Sequence, residues 1–185
     1  MTDDSRLIPA GSQTVGPFFS IGLDYLIDRA PVLHADKAGR IEVRGRVLDR
    51  DGTPVPDAVL EFWSPRLTVS TPNQDQYPSG FRRAATDING NFAVAAMRPA
   101  AAPLEDGRMQ APHMLVLVFA RGLLRHLLTR VYFENEPGNT ADAVLKEVPA
   151  ERRATLIARL ENHQTNSYQW DVRLQGQNET VFFAW

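Results

Sequence analysis

The chain has 185 residues, a formal net charge of −2 and no cysteine. Such a charge offers no basic field to hold a phosphate backbone, which excludes nucleic acid as a partner, and the missing cysteines exclude disulfides, thiolate metal sites and a cysteine nucleophile. The acidic start MTDDSRLIPA lacks the basic and apolar regions of a signal peptide, and no apolar run approaches the roughly 20 residues that span a bilayer, so the expectation is a cytoplasmic protein without membrane contact.

Residues 1–39 show neither helical nor strand periodicity, although SQTVGPFFSIGLDYLIDRAP carries many aromatic and aliphatic side chains. An apolar arm of this kind lies on its own domain or reaches to another chain. From Arg40 the pattern changes, and residues 40–185 read as one β domain. IEVRGRVLD alternates apolar and polar positions, predicting a half-buried strand. RDGTPVPDA is a turn built on Asp51-Gly52, and AVLEFWS is the next strand. Residues 64–80 form a polar loop. FRRAATDINGNFAVAAM reads as a hairpin around Asn89-Gly90, and RPAAAPLEDGRMQAP, with three prolines, as irregular. HMLVLVFARG and HLLTRVYFEN are the longest β-prone runs, and their continuous apolar character predicts strands covered on both faces. VPAERRATLIARLEN is the one clear helix candidate, with Pro149 in its first turn and Ala154, Ile157, Ala158 and Leu160 near one stripe. SYQWDVRLQG and ETVFFAW close the chain as strands joined by QGQNE.

Three chemistries can be weighed on these elements. A serine triad lacks a G-x-S-x-G elbow, and a phosphate site lacks both G-x-G-x-x-G and a Walker pattern. A metal site would need paired ligands, and the four histidines, His34, His113, His126 and His163, include no H-x-H or H-E-x-x-H pair. Positions i and i+2 share a strand face, and two residues beyond His113 stands Leu115, which cannot ligate. A lone histidine at a strand entrance is more often a structural group. The same holds for His126, which faces an apolar run, and for the exposed His34 and His163.

In chain order, SQTVGPFFSIGL, VLDRDGTPVPDAVLEFW, FRRAATDINGNFAV, APHMLVLVFARGLLRHLLTRVYFENE and YQWDVRLQGQNETVFF resemble the intradiol ring-cleaving dioxygenases over about residues 8 to 185. The likeness is strongest to the alpha-type chain of members built from two related chains, alpha and beta. It implies a mainly β, intradiol-dioxygenase-like β-sandwich with an N-terminal arm that contacts the partner chain and one or two short helices. It also implies a beta chain that holds non-haem Fe(III) with two tyrosines and two histidines, one tyrosine soon after the L-E-x-W strand, one in the proline-rich loop, and the histidines as H-x-H.

Here the ten residues after Trp63 contain no tyrosine, the loop from Pro99 to Ala111 has none, and Tyr77 lies too late to match. His113 matches the first histidine and Leu115 stands at the second. Hard Fe(III) needs anionic phenolates together with imidazoles, so this chain is expected to carry no metal ligand and no catalytic residue, the iron belonging to the partner beta chain. The resemblance implies a substrate pocket at the alpha/beta interface, to which Thr14, Gly16 and Pro17 of the arm and Arg121 contribute. The assembly would cleave protocatechuate with O2 to 3-carboxy-cis,cis-muconate, and the guanidinium of Arg121 would face the substrate carboxylate. A stand-alone module that binds aromatic acids or serves assembly, without catalysis, is the alternative.

Overall fold

The computed structural model describes residues 11, 16, 18, 21–22, 39–64, 80–162 and 166–184. Thr14, Pro17, His34, Tyr77, His163 and most of the expected arm lie outside the described residues. Among those described, eleven strands follow in order: β1 (Arg40–Leu48), β2 (Val59–Trp63), β3 (Phe81–Ala85), β4 (Asn91–Met97), β5 (Ala102–Pro103), β6 (Met109–Gln110), β7 (His113–Phe119), β8 (Leu127–Phe133), β9 (Ile157–Asn162), β10 (Ser167–Gln169) and β11 (Val172–Arg173). One short helix, α1 (Ala143–Glu147), and two 3₁₀ segments, Pro137–Thr140 and Ala150–Leu156, lie between β8 and β9.

The period-two pattern of β1 is realised as expected, with Ile41, Val43, Gly45 and Val47 buried and Arg44 and Arg46 exposed. β4 alternates in the same way, sending Phe92, Val94 and Ala96 inward. β1 pairs antiparallel with β4 and, on its other edge, parallel with β10 and then β11. From β10 the path runs through β9, β8, β7 and β2 to β3, and its ends approach each other where β3 meets β4. The two layers close on one core, in which Ile41 and Val43 of β1 and Phe92 and Val94 of β4 meet Leu60 and Phe62 of β2 and Val116 and Val118 of β7. Gly45 is required where β1 passes the chain after β10, because a Cβ there would stand 1.7 Å from the carbonyl oxygen of Trp170.

Several expectations fail, each through tertiary contacts. The Asp87–Asn91 segment closes as a turn, with Gly90 N–H donating to Asp87 O at 2.9 Å and Asp87 N–H to Asn91 O at 2.9 Å. It does not lead into a hairpin, since β3 pairs with β2 and β4 with β1. The turn carries the chain from one layer to the other, and so does the connection from β1 to β2. The helix expected over VPAERRATLIARLEN stops at Leu156, and Ile157–Asn162 becomes β9. Ile157 and Ala158 pair in register with Tyr132 and Phe133, and pairing with the edge of β8 outweighs the weak local preference for helix. ETVFFAW contributes only a single bridge, Phe183 to Leu128, among the described residues. The proline-rich loop holds a two-pair ladder, β5 with β6. β7 is fully covered on one face only, Leu115, Leu117 and Phe119 on the other being half-buried.

Candidate functional site

The strand face that carries His113 is built from β7, β8 and the segment leading to α1. The His113 ring is 2% exposed, and its Nδ1 lies 2.8 Å from the carbonyl oxygen of Ala111. A carbonyl can only accept, so Nδ1 carries the proton. Burial, reinforced by the positive charge of Arg130, holds the imidazole below its ordinary pKa against the opposing pull of the Ala111 carbonyl and Asp142, and keeps it neutral.

Its ring neighbour, 5.3 Å between centroids, is Tyr132. That side chain is fully buried, and burial pushes the phenol pKa upward, so the hydroxyl keeps its proton. It donates to Asp142 Oδ1 at 3.2 Å and accepts from Arg130 Nη1 at 3.3 Å. Arg130 also donates to Gln110 Oε1 at 2.6 Å and lies over the Phe183 ring.

Asp142 organises the group. It is 1% exposed, and its Oδ2 accepts the Ala111 amide at 2.6 Å. Its Oδ1 accepts the amides of Val144 at 2.9 Å and Leu145 at 2.7 Å, capping α1. One carboxylate thus ties the entrance of β7, the phenol of β8 and the helix together. A second apolar cluster, with Leu145, Val148 and Leu156, covers the assembly.

The donor chemistry here does not fit a ferric centre. Leu115 lies in register between Trp63 and Arg130 and offers no lone pair, while the phenol of Tyr132 is held protonated and engaged with Asp142. Among the described residues no three of His, Asp and Glu converge as metal ligands.

Arg121 is placed elsewhere. It stands on the turn after β7, whereas His113 opens that strand, and the six residue steps of β7 separate its ends by about 20 Å. Its Nη2 lies 3.3 Å from Asp57 Oδ2, with side chains 55% and 41% exposed. The structure therefore joins Arg121 to the β1–β2 connection and not to His113. Gly16 is in the left-handed region, φ 64°. His126 is exposed, 5.5 Å from the Phe119 ring, and does not enter the apolar run as expected. Sequence reasoning missed Asp57, Tyr132 and Asp142. Only Asp142 left a local signal, an Asp immediately before the apolar start of a helix.

The dioxygenase family model matches residues 16–176. The chain belongs to the intradiol dioxygenase family. It is 40% identical to the protocatechuate 3,4-dioxygenase alpha chain of Burkholderia cepacia over 93% of this chain and 95% of that one. Identity to the beta chain from the same organism is 27%, over 92% and 77%. Its fold is shared with the dioxygenase domain of a carbohydrate-binding fusion from Streptomyces sp. SirexAA-E, TM-score 0.58 at 20% identity, covering 95% of this chain and 96% of that one. The chain is thus an intradiol dioxygenase subunit, and no helix among its described residues is long and apolar enough to cross a membrane.

Proposed function

We propose that this chain is the non-iron-binding alpha subunit of a cytoplasmic protocatechuate 3,4-dioxygenase. A homologous beta chain holds the Fe(III), and the assembly uses O2 to open protocatechuate to 3-carboxy-cis,cis-muconate. The observation that carries this reading is the region around His113. Its phenol and imidazole are neutral and internally hydrogen-bonded, and a leucine stands where a second strand ligand would be, so the position serves packing. Likeness to both an alpha and a beta chain supports an alpha/beta hetero-oligomer.

In this reading residues 1–39 form an arm on the partner and residues 40–185 the dioxygenase-like domain. Thr14, Gly16 and Pro17 wall the shared pocket, and Arg121 meets the substrate carboxylate. The exposure of Arg121 suits a group completed by another chain, and a charge-assisted bond to a carboxylate shielded from water contributes about 1.5–3 kcal/mol.

Co-expression with a beta chain tests the proposal. Expected are co-purification, iron only in preparations that contain the beta chain, and unchanged iron content when His113 is replaced by Ala. Stoichiometric iron in the isolated chain would overturn the subunit reading, and a monodisperse chain that ignores the beta chain would leave a stand-alone binding module.

A further inference from the structure

The ion pair on the turn after β7 has a built acidic partner, and that partner bears on substrate choice. Asp57 sits in the β1–β2 connection at φ 63°, in the left-handed region that Asp and Asn tolerate better than other side chains. Its flanks are pinned to the sheet. Val55 N–H donates to Val47 O at 2.9 Å, Ala58 N–H donates to Thr86 Oγ1 at 2.8 Å, and Thr86 Oγ1 donates to Val55 O at 2.9 Å. Arg121 follows Ala120, which is buried, and its turn is closed by Leu123 N–H donating to Ala120 O at 3.2 Å. The backbone on both sides is fixed, so the pair meets by construction.

The contact is a single approach of Nη2 to Oδ2 at 3.3 Å with both groups about half exposed. Ion pairs of that kind are weak and yield to a better-shielded partner. The long guanidinium side chain can turn toward an incoming carboxylate, whereas the short aspartate on its pinned loop stays behind. The negative charge of Asp57 then remains beside the site that Arg121 serves.

We infer that Asp57 is a specificity-determining residue, a fixed counter-charge that competes with the substrate carboxylate for Arg121 and limits how strongly the pocket favours anionic aromatic substrates. This rests on the reading that Arg121 faces the substrate carboxylate. Neither residue forms or breaks a bond in the reaction. Asp57 acts through Arg121 by setting the charge that a carboxylate meets.

The test is Asp57→Asn in the complex with the beta chain. The amide keeps the shape and tolerates the left-handed backbone, so an unchanged thermal midpoint is expected. The KM for protocatechuate relative to that for uncarboxylated catechols should fall about two- to fivefold, the range expected from losing an exposed competing charge. In an Arg121→Ala background the same substitution should leave that ratio alone. A rise of the ratio, no change, or a fall that persists without Arg121 overturns the inference. Arg121→Ala by itself separates the two levels. If it raises the ratio while Asp57→Asn is silent, only the role of Asp57 fails, whereas if it moves both KM values equally, the carboxylate role of Arg121 fails and the role of Asp57 with it.

Discussion

Replacing Asp142 by Ala removes one carboxylate and releases four donors at once. The Ala111 amide at 2.6 Å and the Tyr132 hydroxyl at 3.2 Å lose their acceptor in a region closed to water, and the amides of Val144 and Leu145 lose their cap. A lost cap costs about 1 kcal/mol, and each buried donor left without a partner about 1–3 kcal/mol. These terms share one side chain and do not add in full, which puts the total near 3–5 kcal/mol. For a chain of this length that lowers the thermal midpoint by roughly 10 °C. Circular dichroism during heating, with urea titration at fixed temperature, measures it. Asp142→Asn keeps one acceptor and should cost about half as much. Because Tyr132→Phe removes one of the orphaned donors in advance, the double variant Asp142→Ala/Tyr132→Phe should lose less than the sum of the two single variants. A loss below about 1 kcal/mol for Asp142→Ala, or strict additivity with Tyr132→Phe, would refute the view that this carboxylate holds β7, β8 and α1 together.

Gly45→Ala should cost at least about 3 kcal/mol, seen as a collapse of soluble yield and a lowered urea midpoint, because the added methyl collides with the backbone of Trp170 and no side-chain rotation relieves it. His113 makes stability depend on pH. Its folded pKa lies below the ordinary value near 6.5, so below that pH the unfolded chain binds a proton that the folded chain refuses, and stability falls from about pH 6.5 down to the lowered folded value. His113→Gln should flatten that slope in thermal midpoints recorded between about pH 5 and 7, and an unaltered slope would reject the assignment. Arg82 is buried and donates to Phe81 O and, at 3.3 Å, to Ala95 O, linking β3 to β4 across the seam where the sheet path nearly closes. Arg82→Met should cost about 1–3 kcal/mol and reduce amide-exchange protection in β4 more than in β7, whereas uniform loss of protection would count against a local clasp.

Much of the architecture is legible in the amino-acid sequence alone. The alternation in Ile41, Val43 and Val47 is a nearest-neighbour property, because successive side chains of an extended chain must point to opposite faces. The Asp51-Gly52 and Asn89-Gly90 turns are local in the same sense. So is the lack of tyrosine in the ten residues after Trp63 and of a second histidine at Leu115, which leaves His113 without a strand partner for a metal. What those residues could not reveal is which strand each turn would join. Helical spacing in ATLIARL was real, yet Ile157 and Ala158 found partners in Tyr132 and Phe133.

The sequence by itself determined alternating strands such as β1 and β4 and the Asp51-Gly52 and Asn89-Gly90 turns, since these follow from residue type and short-range spacing, and through the resemblance of its motifs it pointed to the family and to the ligand positions that this chain leaves unfilled. Only the tertiary structure decided that Asp142 would reach Ala111 and Tyr132, that Arg121 would meet Asp57 far from His113, and that β9 would be a strand. These outcomes depend on contacts between segments distant along the chain, where burial and the satisfaction of polar groups outweigh local preference.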